Sequence, residues 1–326
     1  MKTIILGDTH FGVRNNSLIW LKHQIQGLDE VISYIRSIKG STSSVRVIHC
    51  GDLFDSRSSL NPVVAQRVQD KLTELASVVS NVYILGGNHD YYHSEDIDGN
   101  VSVMTFLDLP SNVERVIDEV QYIGDEVALV PYFKFLNVDV IRSVVSRNPE
   151  YIYTHTDLAH LDPSVGSIIS EYEGVIITGH IHTPDLCDRR YTIGSLYPLT
   201  FADSNTTRGF YVLDEHFESL EYHPLISPIR FWRISDPMSF DLSQLRAWDR
   251  VELYVHHKSY GYESVRARIT DISKTCDTSI ILIPDTTGTY SGDVMCRDVE
   301  SIIRSSIPAH LQDIFQEIES YSEQDV

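Results

Sequence analysis

The chain has 326 residues, with 26 Lys and Arg against 46 Asp and Glu and a formal charge of −20 at pH 7. The length predicts one large domain and a smaller one, and a hydrophobic content of 42% is enough for a packed core. No run nears the roughly 18 consecutive apolar residues of a membrane span, and so large an acid excess excludes a grip on nucleic acid through general basicity alone.

The N-terminus MKTIILGDTH reads directly as a strand, Lys2–Gly7, followed by a polar motif, with no signal-peptide cleavage pattern. Residues 18–38 carry apolar positions at helical spacing, with Leu21, Ile25, Leu28, Ile32 and Ile35 on one face. A polar loop, Gly40–Ser44, leads to a strand over Val45–Cys50. Asn61 and Pro62 read as N-cap and first position of a helix that runs to about Val79. A strand over Val82–Leu85 is broken by Gly86 and Gly87. Strands are expected at Val113–Ile117, Gln121–Ile123 and Val127–Val130, a helix at Val138–Val145, and strands at Tyr151–Tyr153 and Val175–Thr178. A late β run covers Tyr191–Ile193, Gly209–Leu213 and Leu220–Tyr222.

Near Ile226–Arg230 the composition shifts, and a smaller pattern begins. It has strands at Val251–Val255 and Ser279–Ile283 and helices at Ser264–Ile272, Asp298–Arg304 and His310–Tyr321, ending in a frayed SEQDV. The expected fold class is α/β, two sheets flanked by helices over residues 1–228, with a small α/β domain over residues 229–326. The four cysteines are scattered without a CxxC pair and read as reduced thiols of a cytoplasmic protein, Cys50 as a buried small hydrophobe.

The chemistry is concentrated in five short pieces, each just past an apolar run: Asp8 and His10 in GDTH, Asp52 in GDLFD, Asn88 and His89 in GNHD, His155 in YTHTD, and His180 and His182 in GHIH. Carboxylate, amide and imidazole groups suit divalent ions such as Mn²⁺, Fe²⁺ or Zn²⁺. Loops at the carboxyl ends of strands are where α/β folds bind ligands. If Asp8 and His10 lie on extended backbone, their side chains leave the same side, and the same holds for His180 and His182. Two ions sharing one carboxylate hold a phosphate and a hydroxide for in-line attack, so the pattern reads as a metal-dependent phosphoesterase.

This set of motifs resembles the calcineurin-like metallophosphoesterase superfamily, and in detail its SbcD-type DNA-repair nucleases, which include phage recombination endonuclease subunits. The details are GDLFDSRSSLNP and GHIHTPD followed by YTIGSLYPLTFAD and RGFYVLD, a span within residues 7–214. The resemblance implies that Asp8, His10, Asp52 and His182 hold one metal. It implies that Asp52, Asn88, His155 and His180 hold the other, with Asp52 bridging. His89 would protonate the leaving 3′-oxygen, and Asp90 would orient His89. It also implies two Mn²⁺ ions, an SbcC-type SMC-like ATPase partner that binds DNA, a homodimer through paired helices, and a capping role for the region after 229. Asp55 stands where some members carry His. Both a hydrogen bond to a loop amide and a contact behind the ligands fit it.

The Ser/Thr phosphatases of the superfamily carry GDxVDRG and GNHE, which GDLFDSR and GNHD do not match. The alternative function is a phosphodiesterase acting on a small-molecule phosphoester. A partner ATPase would supply the basic surface that a charge of −20 denies this chain. Among single residues, His49 reads as core, His23 as helix surface, and His93 and His160 as solvated loop. Tyr91 and Tyr92 read as framework or base-stacking groups. Arg57 reads as a phosphate contact or a surface ion pair, Arg189 and Arg190 as a solvated strand start, and His256 and His257 as a strand end without metal.

Overall fold

Ile4, Ile5 and Leu6 decide the layering of the molecule. Successive strand residues face opposite sides: Ile5 is buried against a second sheet, while Ile4 and Leu6 are buried against helices. A strand covered on both faces reads as a continuous apolar run, and VRVIH at residues 45–49 is likewise buried throughout.

The computed structural model describes residues 1–39, 44–92, 101–214, 219–226 and 229–283. In chain order the strands are β1 (Lys2–Leu6), β2 (Val45–His49), β3 (Asn81–Leu85), β4 (Val113–Val116), β5 (Gln121–Ile123), β6 (Val127–Leu129), β7 (Tyr151–His155), β8 (Val175–Gly179), β9 (Asp185–Cys187), β10 (Arg190–Thr192), β11 (Gly209–Asp214), β12 (Ser219–Pro224), β13 (Phe231–Ile234), β14 (Arg250–His256) and β15 (Asp277–Ile283). One sheet has the order β12-β11-β1-β2-β3-β4 and the second β5-β6-β7-β8-β10-β9. In the first, β1 to β4 run parallel, with Leu6 opposite His49 and His49 opposite Ile84. In the second, β6, β7, β8 and β10 run parallel, with His155 opposite Gly179.

Between the sheets lie Ile5, Ile48, Leu85, Leu129, Tyr153 and Ile177. Outside the first sheet, the Leu18–Ile38 helix buries Leu28, Ile32 and Ile35 beside Val64, Val68 and Leu72 of the Pro62–Val78 helix. Ser17 and Asn61 cap these helices, Asn61 accepting from the amides of Val63 and Val64. Outside the second sheet, Ile141, Val144, Val165 and Ile169 of two helices cover Ala128, Ile152 and Ile176. The α/β class with two sheets and flanking helices is therefore observed.

A third sheet, β13-β14-β15, is parallel. The Glu263–Thr275 helix packs Val265, Ile269 and Ile272 on Val251, Leu253 and Val255. The expected helices at 298–304 and 310–321 lie outside the described residues, as do His93 and Cys296.

Several elements escape the sequence reading. The Pro163–Glu171 helix is capped by Asp162, but its buried stripe is only Val165 and Ile169, and Gly166 interrupts the pattern. Strand β13, just past the composition shift at Ile226–Arg230, was not expected. His23, expected on the surface, is 8% exposed and packs against Trp248. Arg190, expected in solvent, donates to the carbonyls of Gly174, Ile169 and Tyr172, so it ties β10 to the preceding helix.

Candidate metal centre

Parallel pairing brings the carboxyl ends of β1, β2, β3, β7 and β8 to one pole. The five motifs leave from those ends. The sharp reversals there need unusual backbone, with His10, Asp52 and His180 at φ 43, 53 and 79. The expectation of extended i, i+2 pairs is therefore corrected: left-handed residues send His180 and His182 towards different neighbours. Gly51 and Gly87 allow the close approach. A Cβ on Gly87 would overlap Asp52 Oδ1, and one on Gly51 would overlap the His155 ring.

Two clusters share Asp52. In the first, His10 Nε2 lies 3.2 Å from His182 Nε2 and 3.5 Å from Asp52 Oδ2. Asp8 Oδ2 is 3.5 Å from His182 Nε2. In the second, His155 Nε2 is 3.3 Å from Asp52 Oδ1 and 3.0 Å from Asn88 Oδ1, which is 2.9 Å from His180 Nδ1. Asp8, His10 and His182, and separately Asp52, His155 and His180, bring one donor atom each within 4.8 Å of one another. A further triplet joins His10, Asp52 and His89. All nine sequence candidates, Asp90 included, are thus gathered at this pole.

The contacts of these residues themselves fit divalent ions. Asp8 Oδ2 is buried and has no hydrogen-bond partner, which is costly for a carboxylate unless a cation faces it. Two imidazole nitrogens facing each other, His10 and His182, gain more from a shared neighbouring cation than from a single shared proton. The oxygen and nitrogen donor set suits Mn²⁺, Fe²⁺ or Zn²⁺.

Without the ions, charge is balanced internally. Burial opposes ionisation of Asp52, but the His155 imidazolium against it prevails and holds Asp52 well below the usual carboxylate range. His155 resists burial for the same reason and is raised to about 9 by Asp52 and Asp8. Burial raises Asp8 to about 6 and lowers His182 to about 4. His180 is also lowered, first by burial and then by His155.

The supports behind the ligands differ in part from expectation. Asp90 does not hold the His89 ring. Its carboxylate, raised to about 7 by burial and then by Asp52, accepts from the amides of Gly87, Leu53 and Phe54. It thereby fastens the β3 loop to the β2 loop. The His89 ring is fixed instead by the Asp55 carbonyl, which accepts from Nδ1 at 2.6 Å. The Asp55 carboxylate sits 3.5 Å from His10 Nδ1. His155 Nδ1 donates to the Cys50 carbonyl at 2.8 Å, which directs Nε2 at the site.

Gln24 and Tyr197 were not expected at all. Gln24 Nε2 donates to the carbonyls of Thr9 and His10, and the Tyr197 hydroxyl donates to Thr9. The Leu196 amide bonds the Asp8 carbonyl, and Ser195 that of His182. GSLYP thus closes the pole from behind. Only its position after GHIH hinted at this.

Other candidates take structural positions. His49 is buried and shares a 3.0 Å contact with Thr9 Oγ1. Tyr91 is fully buried, its hydroxyl on the Ile117 carbonyl, whereas Tyr92 is exposed. His160 is exposed and bonds Asp157. Arg57 is exposed. His256 and His257 join no metal-type cluster among the described residues.

A two-sheet core that gathers imidazoles and carboxylates at one pole defines a metallohydrolase scaffold. The family described as calcineurin-like phosphoesterase matches residues 1–184, more than half of the chain. The protein therefore belongs to the calcineurin-like phosphoesterases and is a metal-dependent phosphoesterase. It is 26% identical over 241 residues to exonuclease subunit 1 of Enterobacteria phage T4, covering 69% of this chain and 68% of that protein. Among solved structures it is similar to an archaeal phosphodiesterase at 17% identity and a TM-score of 0.34, over 69% of this chain and 100% of that one. It is also similar to a Pseudomonas putida nuclease at 14% identity and a TM-score of 0.30, over 68% of this chain and 87% of that one.

Proposed function

We propose that the protein is a Mn²⁺-dependent DNA exonuclease and endonuclease. In this reading it is the nuclease subunit of an SbcC–SbcD-like ATPase–nuclease complex, which processes DNA ends in recombination, repair or phage replication in the cytoplasm. The observation that carries it is the convergence of seven oxygen and nitrogen donors at one pole, five of which (His10, Asp52, Asn88, His180 and His182) line one cavity of about 180 Å³ together with His89. The likeness to a protein named exonuclease subunit 1 supports DNA as the substrate. The charge of −20 supports a partner that supplies basic surface.

Asp8, His10, Asp52 and His182 would hold one ion, and Asp52, Asn88, His155 and His180 the other. When bound, the ions supply Lewis acidity towards the phosphoryl oxygens and make water a stronger nucleophile at neutral pH. The chain does the rest. Asp52 keeps the two sets in register, because its oxygens face His155 and His10 separately. His89 stays outside the ligand set: Nδ1 is engaged by the Asp55 carbonyl, and the ring lines the cavity. Because Nδ1 keeps its proton on that carbonyl, Nε2 carries one only in the imidazolium form, and it is from that form that the leaving 3′-oxygen takes its proton. Asp90 acts on His89 through the loop it fastens.

Residues 1–228 would form the nuclease domain and 229–326 a capping domain that meets DNA or the ATPase. The exposed Leu18, Ile19 and Val63 on the two outer helices would form a two-fold contact in a homodimer.

The test is cleavage of linear DNA in Mn²⁺ and in Mg²⁺, with and without the ATPase. Metal-dependent cleavage supports the reading. Hydrolysis of a small chromogenic diester with no cleavage of DNA in any of these conditions replaces it with a small-molecule phosphodiesterase. His89→Ala should lower cleavage about 10²- to 10⁴-fold with metal content unchanged. Full activity in that variant removes His89 from catalysis.

A further inference from the structure

Past His10 the chain makes a left-handed turn, with Gly12, Arg14, Asn15 and Asn16 at φ 93, 59, 55 and 60. L-residues avoid that conformation, and here it carries Arg14 over the indole of Trp20, with the guanidinium carbon 5.5 Å from the ring centroid. Arg250, from β14, reaches the same indole at 6.0 Å. Trp20 is itself buried on Phe231, which meets Phe201 edge to face. Two cations therefore stand on one aromatic wall, around a cavity of about 370 Å³ that Ser17 and Ser279 also line.

The charge there is incompletely answered. Asp277 pairs with Arg250, but Arg14 has no carboxylate partner among the described residues. Burial and the Arg14 charge both hold the Arg250 guanidinium below its ordinary range. The buried Trp20 Nε1 in the same wall has no hydrogen-bond acceptor. In a chain of net charge −20, two arginines brought together beside an unused donor call for an anion.

The place of this cavity names the anion. Val13 lines the metal-site cavity and Arg14 the second one. Thr200 lines the first and Phe201 the second. Adjacent residues of the chain thus line the two cavities at two places. A strand whose scissile phosphate sits in the metal pocket carries further negative charges along its backbone, and the neighbouring cavity offers them two cationic side chains. We propose that Arg14 and Arg250, stacked on Trp20, form a second anion site that holds a phosphodiester of the strand next to the one being cleaved. This rests on the nuclease reading above and deepens it. The site fixes the strand by its backbone, independent of base sequence.

The experiment measures binding of a labelled linear duplex against salt in a His89→Ala background, where the DNA stays intact, and cleavage in the parent background. Arg14→Gln is expected to weaken binding about tenfold and to reduce the slope of log K against log salt by about one. Arg14→Lys should restore the slope. Arg142→Gln removes the same charge from an exposed helix position that pairs with Asp139, and should alter neither. Unchanged affinity and slope in Arg14→Gln overturn the proposal, as does an equal effect of Arg142→Gln. Hydrolysis of bis(p-nitrophenyl) phosphate reads the metal pocket alone. If Arg14→Gln loses that activity in step with DNA binding, Arg14 serves the metal pocket and the subsite is refuted. A parent protein that hydrolyses the small diester but neither binds nor cleaves DNA overturns the nuclease reading itself. Cleavage of DNA by Arg14→Gln with the parent's KM overturns the subsite only.

Discussion

His49 shows how the metal pole acts on neighbours that never touch an ion. Burial, and then the charge of His155, lower its pKa from 6.5 to about 3. The folded state therefore refuses a proton that the unfolded state accepts. This contribution to stability is fully present above pH 6.5 and is lost as the pH falls towards about 3, by up to about 1.4 kcal/mol per pH unit. Urea midpoints of the metal-free protein between pH 6.5 and 4 should fall less steeply in His49→Gln. Equal slopes would show that some other group sets the acid limit. Gly87 is the other sensitive position, because a Cβ there meets Asp52. Gly87→Ala should weaken binding of the metal pair at least about tenfold, read by calorimetric titration with Mn²⁺. The ligand-type residues were legible in the sequence because the chemistry restricts them to a few side chains next to strand ends. Gln24 and Tyr197 were not, and of Asp55 only the carboxylate was. Gln24 and Tyr197 reach the site by donating to loop carbonyls, Asp55 offers His89 its own carbonyl, and a backbone acceptor leaves no mark in the motif.

At the level of elements, legibility followed apolar periodicity. The Leu18–Ile38 helix was read within its bounds because five apolar positions repeat on one face; the Ser17 cap at its start is seen only in the structure. Strand β9 is exposed along all 3 of its residues, so no buried face marks it in the sequence. The Asn61 cap makes a quantitative prediction. Asn61→Ala removes the acceptor of the Val63 and Val64 amides and should cost about 1 kcal/mol, while Asn61→Gly should cost a few tenths. A urea midpoint for Asn61→Ala equal to that of the parent would mean that water replaces the cap fully. Ile32 is 1% exposed in the packing between helix and sheet. Ile32→Ala should cost about 2–5 kcal/mol, measured the same way, with no loss of metal stoichiometry in the protein that remains folded.

Over the whole molecule, the ligands do not come from one sheet. Asp8, Asp52 and Asn88 follow β1, β2 and β3, while His155 and His180 come from β7 and β8. Away from this pole the two sheets adhere through side chains such as Ile5, Leu129 and Ile177, a contact without direction. At the pole, Asp52 faces His155 and Asp8 faces the His180 amide, each across the gap. Ions that bind only the folded arrangement add stability by mass action, about 2.7 kcal/mol at a hundredfold excess over the dissociation constant. Chelation should therefore loosen the molecule unevenly. Amide exchange in β7 and β8 should accelerate most near Thr154 and Gly179 and least near Tyr151 and Val175. A uniform rise along both strands would mean that the ions fasten nothing in particular. The metal pair would be a rivet between two plates, and the enzyme's resistance to unfolding would rise and fall with the supply of its cofactor.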